Sequence, residues 1–376
     1  MPAQCVRDRR CAGCGKDGMK MKYALIGSGW RAEFYIRIAK MMPEQFHLTA
    51  VLVRDPVKGT AFAEKFQVKV VNTLDELMAD APAFVVLSIK RGTVTDYLLN
   101  LFESGIPVLA ETPPGEDMES LLRLWSAYEK YKPKVQVAEQ YFVQPLYAAW
   151  YKAIEEGLIG KVENISLSAL HGYHGISMIR RMLGAGFQNC TMYGKRYHFE
   201  VTETYGREGM SFDGEKFVCP RDRVTLEFEN GTVAYFDFSD PAQYHSFIRT
   251  RQLNIQGVRG EIDDLTIRYL TQDNVPVTQT LNRIDLGVYG NQEWSHYALM
   301  LGEKFLYRTP FPNARLNDDE IAVATLLFRM ADYVSGGEEV YPLRDALQDM
   351  YLCLKMEEAM AAEYAPVRTE TQLWGK

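Results

Sequence analysis

From Lys22 the chain runs as short apolar strings separated by stretches whose apolar residues recur at helical spacing. The strings are KYALIG, HLTAVLVRDP, FVVLSI at 84–89, IPVLAE at 106–111 and KVQVAE at 134–139; residues 31–42, 57–66, a stretch ending at 104, and 117–131 lie between them with helical periodicity. Strings of five or six apolar or β-branched residues alternating with helical segments of ten or more predict βαβ units around a parallel sheet. Residues 21–140 are therefore expected to form a doubly wound α/β domain of the Rossmann type.

After a helical stretch at 144–156 the period changes. RVTLEFENGTVAYFDF, at 223–238, sets alternating apolar residues on either side of Asn230-Gly231, a dipeptide that accepts positive φ in a tight hairpin turn. RQLNIQGVRGEIDDLTIRYL predicts two more strands turning at Arg259-Gly260. Two helical segments close the chain: NDDEIAVATLLFRMADYVSGG, with acids in its first turn and a stop at Gly336-Gly337, and YPLRDALQDMYLCLKMEEAMAA, which starts after Pro342. Residues 141–376 are thus expected to form an α+β substrate and oligomerisation domain, with a large, mostly antiparallel open sheet. One face of that sheet would lie under helices and the other would be open to a second subunit.

Composition narrows the function classes. With 376 residues, 47% hydrophobic and 24% charged, the chain can bury two cores, which excludes disorder. Its net charge of −7 and scattered basic residues exclude a dominant nucleic-acid partner. No apolar string approaches the roughly 18–20 residues that span a bilayer, so no membrane association is expected. Residues 1–20, MPAQCVRDRRCAGCGKDGMK, contain no apolar core of a secretory signal; they are expected to be a disordered leader on a cytoplasmic protein. Cys5, Cys11 and Cys14 crowd into that leader without a fourth ligand for zinc, so no metal site is expected.

Candidate chemistry starts at the first turn, IGSGWRA. Gly27 permits the tight turn after the strand, Gly29 lets backbone approach a pyrophosphate, and Ala32 takes the third small position, with Ser28, Trp30 and Arg31 filling the loop and helix start. The helix N-terminus then faces the phosphates. At the end of the second strand Val53 holds the position where a ribose-binding acid is expected, and Arg54 is placed to meet a 2′-phosphate, which favours NADP; Asp55 as the ribose ligand leaves NAD open. Lys90 and Arg91 follow the fourth strand at the edge where a cofactor binds. Glu139, Gln140 and Tyr141 end the sixth, within reach of nicotinamide or substrate. His296, in NQEWSHYAL, is expected on a helix, and His47, His198 and His245 stand without a constellation.

In order and in sequence, these elements resemble the Gfo/Idh/MocA family of sugar-type dehydrogenases. The resemblance rests on IGSGWRA, AVLVRDP, VLAETPP, EEGLIGKVENISL, LEFENGTVA, LNIQGVRGEI, DDEIAVATLLFRM and YPLRDALQDMYLCL, and covers nearly the whole chain after Met21. It implies tight binding of NAD or NADP, hydride transfer to or from a carbohydrate or polyol carbon, and a homodimer or homotetramer formed through the open sheet. It also implies a catalytic Lys in a Glu-Lys-Pro motif and an Asp and a His four residues apart. Here the first motif reads Glu111-Thr112-Pro113 and the second pair reads Leu170 and His174, so the lysine and the aspartate are replaced.

Alcohol oxidation still requires a group that removes the hydroxyl proton, and a histidine suits it. His174 is the expected base, with His171 and Tyr173 as partners in a re-formed set and Thr112 in the lysine's place. The leading expectation is an NAD(P)-dependent oxidoreductase acting on a sugar, glycoside or polyol. A redox-assisted glycoside-cleaving enzyme or lyase that recycles its NAD is the second reading. A non-catalytic dinucleotide-binding sensor or accessory subunit is the third.

Overall fold

The computed structural model describes residues 20–206, 209–244, 246–286 and 295–376; the leader with Cys5, Cys11 and Cys14, and His245, lie outside them. The first elements are β1 (Met21–Ile26), α1 (Trp30–Met41), β2 (Phe46–Leu52), α2 (Pro56–Phe66), β3 (Val70–Val71), α3 (Leu74–Met78), β4 (Phe84–Leu87), α4 (Val94–Glu103), β5 (Val108–Ala110), α5 (Met118–Tyr131) and β6 (Val135–Val137). Their strands make a six-stranded parallel sheet in the order β3-β2-β1-β4-β5-β6. Residues 23–26 and 84–87 are at most 2% exposed, as strands covered by helices on both faces must be. The strand order reverses between β1 and β4, and the crevice outside their carboxyl ends is where such sheets bind ligands.

Next come α6 (Pro145–Glu155), β7 (Val162–Ser168), α7 (Gly172–Met182), β8 (Cys190–Thr202), β9 (Tyr205–Gly206), β10 (Gly209–Met210), β11 (Lys216–Phe228) and β12 (Val233–Phe238). The chain continues through β13 (Gln252–Gly257), β14 (Gly260–Asp263), β15 (Thr266–Leu270), β16 (Pro276–Leu286), β17 (Ser295–Leu301), β18 (Lys304–Arg308), α8 (Asp318–Val334), α9 (Leu343–Ala361) and β19 (Val367–Arg368). Eleven of these strands form one sheet in the order β18-β17-β16-β15-β14-β13-β7-β12-β11-β8-β19, in which β7 and β12 pair in parallel and the other described pairs are antiparallel. Helices α7 and α9 pack on one face, over buried Ile165, Leu226 and Ala234. Outward-pointing Phe199 and Tyr235 are exposed. The fold class is the one the periodicity predicts.

Two features depart from expectation. His296 lies on β17, paired to β16 and β18, and not on a helix; ladder pairing in the sheet overrides the helical leaning of the short SHYALML string. The closing helices also do not belong to the large sheet alone. Arg37 pairs with Glu320 at 2.7 Å, Lys134 donates to the Val334 carbonyl at 2.6 Å, and the Gln136 Oε1 accepts from the backbone N–H groups of Val340 and Tyr341. Helices α8 and α9 therefore clamp the two sheets together and fix the angle of the cleft between them. Among the described residues no helix is long and apolar enough to cross a membrane.

Candidate active site

A cleft of about 1020 Å³ opens at the carboxyl ends of β1 and β4 and is closed from the other side by the large sheet and the start of α7. Its floor is the first turn. Gly27 has φ +127°, and a Cβ there would stand 1.8 Å from the Ser88 carbonyl oxygen, so only glycine lets β1 turn this close to β4. Gly29 caps α1 with no side-chain hydrogen bond, and a Cβ added to it would meet nothing within 4 Å. That open space sits at the positive end of a twelve-residue helix. Behind the turn, Glu111 accepts a 2.6 Å hydrogen bond from the Tyr35 hydroxyl and lies 3.8 Å from the Arg31 Nε. The charge of Glu111 keeps the Arg31 guanidinium protonated despite burial, and its Nη1 is buried with no partner. A glycine cradle with free space, a helix start and an unsatisfied guanidinium fit an anionic dinucleotide.

After β2, Asp55 caps α2, its Oδ1 accepting from the Val57 and Lys58 N–H groups at 3.0 and 3.2 Å. Arg54 lines the cleft with its guanidinium 5.5 Å above the Tyr97 ring.

The opposite end carries the histidines. His171 is the N-cap residue of α7 and His174 lies in its first turn, which sets their rings edge-to-face at 5.1 Å. His174 Nδ1 is 2.7 Å from Oε2 of Glu139, a carboxylate with no exposed surface that follows β6; its Oε1 accepts the Tyr141 N–H at 3.2 Å. An ionised carboxylate only accepts, so against it Nδ1 carries the proton and Nε2 is the basic nitrogen of a ring that lines the cleft. The Tyr141 and Tyr244 hydroxyls meet at 2.9 Å beside the two rings. His171 faces Asp240 at 3.8 Å, yet burial, with the nearby His174, Arg91 and Arg251, pushes its pKa down to about 3 and keeps it neutral.

The cleft thus brings together Gly27, Ser28, Gly29, Trp30, Arg31, Arg54, Lys90, Glu111, Thr112, His171 and His174. Two expected residues lie behind its wall. Tyr173 is 5% exposed and touches His174 ring edge to ring, but its hydroxyl is buried without a partner on the far side, near Asp349 and Tyr341. Gln140 is also buried. In the amide orientation that satisfies its neighbours it donates to the Ala138 carbonyl and accepts from Arg31 Nη2, both at 3.1 Å, so it holds Arg31 in place. Leu170 is fully buried, and the carboxylate that meets His174 comes from Glu139, 35 residues earlier. The signal for Glu139 was an acid at a strand's carboxyl end; its partner was not visible in the sequence. Among the described residues no group of three or more His, Cys, Asp or Glu side chains is placed to hold a metal ion.

Residues 21–139 match the model of an oxidoreductase family with the NAD-binding Rossmann fold. An inositol 2-dehydrogenase from Corynebacterium glutamicum is 27% identical over 154 residues, 40% of this chain and 45% of that protein, so the match spans less than half of the curated relative's length. In overall fold, a crystal structure of an Agrobacterium radiobacter oxidoreductase with NAD+, L-tartaric acid and magnesium superposes with a TM-score of 0.65 at 16% identity, covering 93% of this chain and 98% of that one. A levoglucosan dehydrogenase in complex with NADH and levoglucosan gives 0.66 at 16%, covering 93% and 99%. The sequence likeness to the Gfo/Idh/MocA oxidoreductases is carried by residues 21–139, the Rossmann domain.

Proposed function

We propose that the protein is an NAD(P)-dependent dehydrogenase acting on a hydroxyl-bearing carbon of a sugar, glycoside or polyol. The observation that carries this reading is His174, held at Nδ1 by buried Glu139 and lining the same cleft as the glycine turn. Bound nicotinamide would supply the hydride acceptor. The turn at Gly27 and Gly29 and the start of α1 would hold its phosphates, with Ser28, Trp30 and Lys90 beside them, and Glu111 and Gln140 fix Arg31. His174 Nε2 takes the hydroxyl proton as hydride leaves the carbon, and Glu139 stabilises the resulting imidazolium. Neutral His171 adds no competing charge, and Thr112 contributes a hydroxyl where a lysine would bring a cation. The inositol and levoglucosan dehydrogenases support the carbohydrate class of substrate.

NADP is the favoured cofactor, because the Asp55 carboxylate is engaged in capping α2 and, among the described residues, Arg54 on the cleft wall pairs with no carboxylate. A homodimer or homotetramer is proposed through the uncovered face of the large sheet. There the exposed rings of Phe199 and Tyr235 adjoin an outward Arg221–Asp237 ion pair.

The test is a panel of sugars and polyols offered with NAD and with NADP, following reduced-nicotinamide absorbance. Turnover is expected, with an Arg54→Ala loss of NADP preference of about tenfold or more, the size of a charge-assisted hydrogen bond. Tight cofactor binding with no turnover anywhere overturns the reading in favour of a dinucleotide sensor. Product release without accumulated reduced nucleotide overturns it in favour of redox-assisted cleavage.

A further inference from the structure

We infer that the substrate is a glycoside with an aromatic aglycone, and that Tyr205 and Phe247 bind that aglycone at the mouth of the cleft. This rests on the dehydrogenase reading of the same cleft and names the substrate class within it. The segment that follows β12 leads outward from the histidines. Asp240 stands 3.8 Å from His171, the Tyr244 ring lies edge-to-face with His171 at 5.3 Å, and three residues on the Phe247 N–H donates to the Thr204 Oγ1 at 3.3 Å. The lining near the histidines includes the carboxylate of Asp240, and Thr202 and Glu203 line the same cleft, so acceptors for the hydroxyls of a sugar are present.

An apolar strip accompanies those polar groups and grows more exposed along its length. Ala242 and Phe217 line the cleft wall and pack with buried Val201 and Cys219. Tyr205 lines it too and is 37% exposed, and its ring meets edge-to-face, at 5.6 Å, the ring of Phe247, which is 63% exposed. Exposed Met210 pairs with Tyr205 across β9 and β10, and exposed Ile248 follows Phe247. Backbone bonds hold these rings in place: the Glu203 N–H donates to the Glu215 carbonyl at 2.9 Å and the Ser211 N–H to the Thr204 carbonyl at 3.1 Å. A contiguous exposed apolar patch marks a binding surface, and this one runs without a break into the cleft, so its occupant is part of what the cleft holds. A second sugar ring is a poor occupant, because its hydroxyls find no partners on Phe247, Met210 and Ile248. An aromatic aglycone packs against the two rings, while its sugar reaches back toward His174.

The experiment compares phenyl β-D-glucoside, methyl β-D-glucoside and cellobiose, by kcat/KM and by calorimetric titration of each into the enzyme saturated with NADP or NAD. The proteins are the wild type, Phe247→Ser and Phe247→Tyr. The expected result is a preference for the phenyl glucoside of about tenfold or more, the worth of burying one aromatic ring. Phe247→Ser should lose that preference through a higher KM at unchanged kcat, and Phe247→Tyr should keep it. Methyl glucoside should behave alike in all three proteins, which a folding defect would not allow. The inference is overturned if the three glucosides are bound or used alike, if cellobiose matches the phenyl glucoside, or if none of them binds. It is equally overturned if Phe247→Ser changes the sedimentation velocity of the protein, which assigns the patch to a contact between copies. Calorimetry separates the two readings. Phenyl glucoside binding that depends on Phe247, without turnover, sustains the aglycone site and removes the dehydrogenase; equal turnover of phenyl and methyl glucosides does the reverse.

Discussion

Replacing Glu139 by Gln changes one oxygen of a fully buried carboxylate to an NH2 group and preserves its volume. Glu139 now accepts from His174 at 2.7 Å with Oε2 and from the Tyr141 N–H at 3.2 Å with Oε1. A glutamine cannot accept at both positions. If its oxygen stays with His174, the NH2 group confronts the Tyr141 N–H. If the oxygen turns to Tyr141, the NH2 group donates to Nδ1, which forces the proton onto Nε2 and removes the base. The imidazolium formed during the reaction also loses its counter-charge. The expected loss in kcat/KM is about 10²- to 10⁴-fold, the usual worth of a positioned general base, or about 2.7–5.5 kcal/mol at 1.36 kcal/mol per decade. Folding stability should change less. The lost charge-assisted bond costs about 1.5–3 kcal/mol, but removing a buried charge returns part of its desolvation penalty. Initial rates with the best substrate, dinucleotide Kd and a urea melt on the same preparations separate these effects. In a His174→Ala background the Glu139→Gln change should add less than about threefold, because the two residues act as a unit. The reasoning is refuted if Glu139→Gln keeps kcat/KM within threefold of wild type, or if its losses multiply with those of His174→Ala.

Four further variants test the structure. His171 has a folded pKa of about 3 against 6.5 when unfolded. Below about pH 6.5 the unfolded chain therefore binds a proton that the folded one refuses, and stability falls on acidification by about 2 kcal/mol at pH 5. Urea melts of His171→Gln should show a flatter loss between pH 7 and pH 5, and parallel curves would count against the buried neutral ring. Gly27→Ala, with its Cβ driven onto Ser88 at positive φ, should cost about 3 kcal/mol or more and yield little folded protein. Gly29→Ala, which meets no protein atom, should melt like wild type yet weaken dinucleotide binding at least about tenfold, since it fills the space left for phosphate. Equal Tm losses in both glycine variants would remove that distinction. Asp349→Asn, in the buried pair with Arg180 at 2.7 Å, should cost about 3–5 kcal/mol by leaving a buried cation short of its partner. Calorimetric melting checks this, and an unchanged Tm would mean that the Arg180–Asp345 contact suffices alone.

What could be read along the chain was what is local. The glycine turn, the βαβ alternation and the Asn230-Gly231 hairpin are written within a few residues of themselves, and each appears where the pattern put it. Asp55-Pro56 was equally local, an N-cap followed by proline at the first helical position, and the cap is what takes the carboxylate that could have bound ribose. The SHYALML string misled because helix and strand propensities are weak beside the pairing of β17 with β16 and β18. The long strand β8 escaped notice because its mix of Lys, Arg, His and Glu among aromatics follows one exposed and one helix-covered face, and that pattern emerges only once α9 lies on it.

The histidine site is the clearest case of non-local assembly. Measured against the motif it resembles, the chain lacks a lysine at Thr112 and an aspartate at Leu170, which taken alone argues for a cleft without chemistry. The fold supplies the missing carboxylate from elsewhere. Helix α7 starts at His171, which turns His174 toward the end of β6, and there Glu139 waits with no exposed surface and no other side-chain partner among its described hydrogen bonds. Leu170, buried where the acid would have stood, leaves Glu139 without a rival for Nδ1. A buried carboxylate with a single histidine to meet is costly to keep for packing alone, since an apolar residue of that size would fill the same space without desolvating a charge. On the proposed dehydrogenase reading, Glu139 fixes one tautomer of His174 and keeps Nε2 for the reaction.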